Sequence, residues 1–200
     1  MRSGPIHILV AILVLVSTPA FAHFGADHTH SFGEGFAHPL GGLDHILAMV
    51  TVGLLAWQLG GRAIWLVPAA FVSFMALGGA LGIAGQPLSV VECGIAASVI
   101  VLGAMVAFGI KPPVAGAAAI VGLFAIFHGY AHGAGMPADA SAGAFAVGFI
   151  LATVLLHACG MGTGLLVGRF SDRYGTLAYR AAGTFVAVAG VAILTQTIRL

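Results

Sequence analysis

Gly60-Gly61-Arg62 is followed by Ala63-Ile64-Trp65-Leu66-Val67-Pro68-Ala69-Ala70-Phe71-Val72-Ser73-Phe74-Met75-Ala76-Leu77-Gly78-Gly79-Ala80-Leu81-Gly82-Ile83-Ala84, and then by Gly85-Gln86-Pro87. No charge interrupts the run between its two turn-forming borders. About 20 mostly apolar residues are enough to cross the hydrocarbon core of a bilayer as a helix. Outward from this stretch the pattern repeats, and six runs emerge at about 38–58, 62–84, 88–109, 112–133, 142–168 and 177–198. The other connections are also short and carry Pro or charge: Lys111-Pro112-Pro113, Met136-Pro137-Ala138-Asp139, and Arg169 to Tyr174. The fifth run is long enough to be tilted or broken.

Composition gives the same class. The chain of 200 residues is 60% hydrophobic and 6% charged, where a soluble domain carries about 25% charge. It cannot cover itself with water-soluble surface. The expected fold is an all-α, polytopic membrane bundle. A formal net charge of +1 argues against nucleic acid as a partner. Gly160, Gly164 and Gly168 form overlapping GxxxG steps, and small residues let membrane helices approach closely. Cys93 and Cys159 lack CxxC partners and read as small buried apolar residues, not as a disulfide framework.

The first residues read as a targeting segment. Arg2 is a short positive region, 6–16 is an apolar stretch, and Ala20-Phe21-Ala22 follows Pro19 as an A-x-A cleavage site. The expected organisation is a signal peptide at 1–22, a histidine-rich extracytoplasmic tail at 23–37, and a six-helix transmembrane domain at 38–200. With the mature amino terminus outside, Arg62, Lys111, Arg169 and Arg173 fall in cytoplasmic connections, with Arg180 just inside the last span. Only Arg199 falls outside. The positive-inside rule and the signal peptide therefore agree on one topology.

Polar residues interrupt this apolar frame at few places. His38-Pro39-Leu40-Gly41-Gly42-Leu43-Asp44-His45 opens the first span, and Phe127-His128-Gly129-Tyr130-Ala131-His132-Gly133 closes the fourth. An ionisable group at the bilayer centre costs about 2.5–3.5 kcal/mol on insertion scales, so such residues usually line a pathway or bind something. His38, Asp44, His45, Glu92, His128 and His132 gather at one depth, toward the outside, and His157 lies nearer the middle of the fifth span. Scattered packing histidines would not share a depth. Imidazoles with a nearby carboxylate suit a divalent transition metal.

On an ideal helix His38 and His45 share a face, as do His128 and His132 at i, i+4. Pro39, Gly41 and Gly42 are expected to distort the start of the first span, which is tolerated at membrane depth where backbone lines a cavity. Asp44 either ligates directly or orients a ligating histidine. His157 alone reads equally well as a packing residue, and Glu92 also fits an ordinary helix-end acid. Met49, Met136 and Met161 are read as core filler. His23, exposed as a new amino terminus, offers an amine and an imidazole to one metal. The tail that continues through His28 and His30 reads as a capture arm or as a flexible polar leader.

The two histidine motifs resemble those of the HupE/UreJ family of nickel permeases. The likeness includes His38-Pro39-x-Gly41-Gly42-x-Asp44-His45-x-x-x-Met49 and Phe127-His128-Gly129-Tyr130-Ala131-His132-Gly133, and extends to Glu92 with Gly94 and Ala96 and to His157 with Gly160. The resemblance implies a permease, not an enzyme, with no permanent cofactor and with Ni²⁺ or Co²⁺ as the transported substrate. It implies that His38, Asp44 and His45 are the transport-critical set and His128 and His132 the second set. Gly135 stands where the family commonly carries an acid, so one external carboxylate is missing. The implied place is the bacterial inner membrane, with a periplasmic mature amino terminus. Expected partners are a divalent metal ion and the lipid bilayer, and assembly as a homo-oligomer stays open. No GxxxxGK[ST] phosphate loop is present. Two rivals remain: an intramembrane metalloenzyme, against which stands the lack of HExxH, and a non-transporting metal chaperone or sensor.

Overall fold

The computed structural model describes residues 31–136, 140–169 and 172–199. The expected signal peptide, His23 and Asp139 lie outside them. Among the described residues the chain is helical throughout: α1 Ser31–Ala37, a 3-10 turn His38–Leu40, α2 Leu43–Leu59, α3 Ala63–Ile83, α4 Val91–Phe108, α5 Val114–Ala134, α6 Ala142–Val167 and α7 Asp172–Thr197. Helices α3, α4, α5, α6 and α7 are each long and apolar enough to cross a membrane.

The first expected span, about 38–58 with its start distorted by Pro39, Gly41 and Gly42, has that distortion as a bend. Ser31–Leu40 and Leu43–Leu59 meet at 80°. Pro39 has no N–H to continue a helical ladder, and Gly42 is extended at φ −108°, ψ 122°. Residues 31–37, expected within a polar tail, form α1 against α6: Ser31 Oγ accepts the Ser141 N–H at 2.9 Å. The fifth expected span is one unbroken helix of 26 residues. At 1.5 Å per residue it runs roughly 39 Å, longer than a hydrocarbon core of about 30 Å. The last helix begins at Asp172, earlier than expected.

Apolar residues cover these helices on all sides, so hydropathy does not choose their partners. Backbone proximity does. In α2 and α6, Gly53 lies on the His157 carbonyl and Gly160 on the Val50 carbonyl. In α3 and α5, Gly78 lies on the Ile126 carbonyl and Gly129 on that of Met75. Gly103 of α4 meets Gly183 and Ala187 of α7. Contact register rises together in the first two pairs and oppositely in the third. Helices that alternate in direction along the chain must behave this way. Lipid supplies no hydrophobic drive for helix association, so close van der Waals packing at small residues carries it. The GxxxG reading holds for Gly160 and Gly164, the latter under the Trp57 side chain.

The apolar core is centred on α2. Met49, Val52 and Leu55 meet Phe71, Leu102, Val106 and Val121 there. Met49 is core filler as expected. Cys159, in contrast to its buried reading, is exposed on the bundle surface and Cys93 is half-buried.

A cluster of imidazoles at one end of the bundle

The start of α2 is built by its own first turn. Gly42, the N-cap residue, has no side chain to satisfy the free N–H groups of the helix. Asp44 does this instead: its Oδ1 accepts the His45 backbone N–H at 2.9 Å and the His45 ring Nδ1–H at 2.9 Å. A carboxylate accepts only, so the ring proton of neutral His45 sits on Nδ1 and Nε2 is bare. A Cβ on Gly42 would come within 2.6 Å of Asp44 Oδ1 and 2.9 Å of His45 Nδ1. Glycine there leaves room for the pair. Of the two roles open for Asp44, orienting His45 is the one these bonds can serve, and they engage only its Oδ1.

Three further histidines join His45, two of them directly and His38 through His132. His128 and His132, one turn apart near the end of α5, stand with ring centres 4.8 and 4.3 Å from that of His45. His38, carried by the 3-10 turn, stands 4.7 Å from His132 and 5.8 Å from Phe145. His38 and His45 thus reach the same neighbour from either side of the bend, and not from one helix face. His45, His128 and His132 are buried; His38 remains exposed. Metal–nitrogen bonds of about 2.1 Å put ring centres roughly 3.2 Å from an ion, so adjacent ligating rings stand roughly 4.5–5.2 Å apart. The observed spacings are close to that range. The donor atoms, however, do not yet surround one point: among the described residues no three His, Cys, Asp or Glu groups form a ready metal site.

The ring nitrogens carry the chemical argument. His45 Nε2, His128 Nδ1, both nitrogens of His132 and both of His157 are buried without a hydrogen-bond partner. Leaving a buried polar group unpaired costs about 1–3 kcal/mol, and native structures hold few such groups. Four histidines with unpaired nitrogens in one bundle form a set of lone pairs and N–H groups that a polar ligand would satisfy.

His157 lies deeper. It is eight residues beyond Phe149 on α6, about 12 Å further along the helix axis. The fully buried Phe71 ring stands between the two depths, 5.8 Å from His128 and 5.1 Å from His157. Glu92 is exposed in the first turn of α4 and bonds to no described residue; the structure does not bring it among the rings. Near His132 an apolar cavity of about 240 Å³ opens between α3, α5 and α6, lined by Met75, Met136, Phe145 and Phe149 among others. A larger cavity of about 580 Å³ sits at the opposite end, lined by Trp57, Gln58, Lys111, Tyr179 and Arg180 but by no histidine.

Sequence reading missed Ser98, Phe71, Phe145 and Phe149. Ser98 Oγ lies 2.8 Å from His128 Nε2, and the Phe149 ring centre is 4.1 Å from that of His132. A serine inside an apolar run was a visible signal for the first. The phenylalanines sit among many apolar residues, and nothing in their spacing marks them.

The motifs that build this cluster also place the chain among known proteins. No solved structure matches it. The family described as HupE / UreJ protein matches residues 11–193. "Protein HupE" of Rhizobium leguminosarum bv. viciae is 47% identical over 194 residues, covering 97% of this chain and 99% of that protein. Matches of that extent and identity make this chain a member of the HupE/UreJ family.

Proposed function

We propose that the protein is an uptake permease for a divalent transition metal, nickel or cobalt, in the bacterial inner membrane. In this reading six spans follow a signal peptide cut after Ala22, α1 and the bend contribute to the first span, and the mature amino terminus is periplasmic. The imidazole cluster then faces the periplasm and the Lys111–Arg180 end faces the cytoplasm. His38 and the His23 tail meet the cation first. His45, His128 and His132 replace part of its water shell, with Asp44 holding His45, and Glu92 adds negative charge at the mouth. His157 is the next nitrogen donor inward. The observation that carries the reading is the convergence of unpaired ring nitrogens from α2 and α5 at one end of the bundle. The choice of nickel or cobalt comes from the family, because nitrogen and oxygen donors accept several divalent ions.

A negative-inside potential drives inward movement. Each charge gains about 2.3 kcal/mol per 100 mV, so a dication gains about twice that. Binding must stay weak enough for release, which suits a site with one carboxylate that acts through His45 and does not itself bond the ion.

The test is flux. The purified chain in sealed vesicles should accumulate Ni²⁺ or Co²⁺ above protein-free vesicles when the interior is negative. Stoichiometric binding without accumulation would instead identify a chaperone or sensor. Gly135 offers a second test. It caps α5 three residues after His132, is exposed, and has φ −90°, which any residue accepts. Gly135→Glu should tighten half-saturation for uptake roughly fivefold, since one added charge about 8 Å from a dication in water contributes about 1 kcal/mol. Unchanged half-saturation for nickel, cobalt, copper and zinc would remove any role for that position.

A further inference from the structure

We propose that Ser98 is a positioning residue that holds the His128 ring in the tautomer protonated at Nε2, so that Nδ1 is left bare for the transported cation. The inference rests on the permease reading above and goes beyond it by assigning the state in which one ligand is delivered.

Ser98 sits on α4, fully buried. Its Oγ–H donates to the Ile95 carbonyl at 2.6 Å. A hydroxyl has one proton to give. The contact between Ser98 Oγ and His128 Nε2 at 2.8 Å must then run the other way, with Nε2–H donating to the serine oxygen. In a neutral imidazole one nitrogen carries the proton and the other a lone pair. The lone pair of His128 therefore falls on Nδ1. That atom is buried and has no protein partner, and its ring stands edge-to-face with His45.

Two ligands are thus held in opposite tautomers by different means. Asp44 takes the Nδ1–H of His45 and leaves Nε2 bare. Ser98 takes the Nε2–H of His128 and leaves Nδ1 bare. Metal-binding histidines commonly donate their second ring N–H to an acceptor, and loss of that acceptor typically costs 10–100-fold in affinity or activity. Ser98 supplies the acceptor without adding a charge, so the deeper ring is oriented without increasing electrostatic attraction for the ion. A cation that must leave again benefits from that difference.

The test uses the full chain, labelled with ¹⁵N-histidine and purified in detergent, as wild type, Ser98→Ala and Ser98→Thr. In metal-free wild type the His128 signals should show Nε2 protonated and Nδ1 bare. Ser98→Ala should give a mixture of tautomers and weaken Ni²⁺ binding about 10- to 100-fold. Ser98→Thr, which keeps the hydroxyl, should restore both. Protonation of wild-type His128 at Nδ1 would overturn the proposal without any variant being made. So would wild-type Ni²⁺ affinity in a Ser98→Ala protein whose tautomer has been released. If wild type bound no Ni²⁺, the permease reading itself would have failed and this inference with it. The metal-free spectrum separates that failure from an error about the tautomer.

Discussion

Nickel accumulation in sealed vesicles is expected to fall to that of empty vesicles when His45 is replaced by alanine. His45 is the ring on which the cluster turns: it contacts both His128 and His132 and is itself tied to Asp44. Removing it takes away one proposed ligand and the ring packed against both His128 and His132. Loss of an orienting group alone costs about 10–100-fold, so loss of this ligand should exceed about 100-fold in uptake. Asp44→Asn should fall between, by about tenfold, because a side-chain carbonyl still accepts the Nδ1–H while the charge is gone. Both proteins should remain in the membrane, since His45 lies at the end of the bundle and not at the α2–α6 contact. Uptake assays on equal amounts of inserted protein check this. His45→Ala vesicles filling at the wild-type rate would show that the cluster is not on the path.

The second large effect is on assembly. Gly53→Ala should destabilise the bundle, because the new methyl group would fall on the His157 backbone carbonyl. No side-chain rotation relieves a clash with backbone, so α2 and α6 must separate. Overpacking costs about 1–3 kcal/mol, and in proteins of 150–250 residues 1 kcal/mol moves Tm by about 2–4 °C. Gly162→Ala is the matched control on α6, because a Cβ there meets nothing within 4 Å. Thermal unfolding in detergent should show Gly53→Ala lowered by several degrees and Gly162→Ala unchanged. Equal melting of the two would mean that α2 and α6 do not pack through Gly53.

The contrast between these two glycines shows what a sequence of this kind conceals. The spans were legible because a bilayer forces backbone groups to pair within each helix, which leaves long uncharged runs. Their partners were not. An apolar surface on every side gives no preferred face, and Gly53 and Gly162 look alike until the neighbouring backbone is placed. Pro39 with Gly41 and Gly42 did announce a disturbed helix start, and the 80° bend is its form. The docking of α1 was concealed because 31–37 falls within the expected histidine-rich tail, although Ser31-Phe32-Gly33-Glu34-Gly35-Phe36-Ala37 carries two phenylalanines. Its fit depends on close approach: Gly35 lies under the Phe145 backbone and Gly148 under that of Phe32.

The candidate site divides similarly. Intramembrane histidines and an aspartate are expensive enough to stand out one by one, and their shared depth followed from the order of the spans. Which atoms touch did not follow. His38 was matched to His45 by helix periodicity, yet the two are linked through His132 across a bend. Glu92 has the right depth and the wrong surroundings, exposed at a helix start while Ser98 further along the same helix meets a ring. Phe71 between His128 and His157 could be located only after α3 was packed on α5.

Imidazoles from α2 and α5 are proposed to take over the coordination of a dication. Nickel K-edge X-ray absorption on the purified, nickel-loaded chain addresses it directly. The expected spectrum has nitrogen and oxygen neighbours near 2.1 Å with the outer-shell scattering of at least two imidazole rings, reduced in His45→Ala. A spectrum of water oxygens alone, or one that does not change between wild type and His45→Ala, would contradict the assignment.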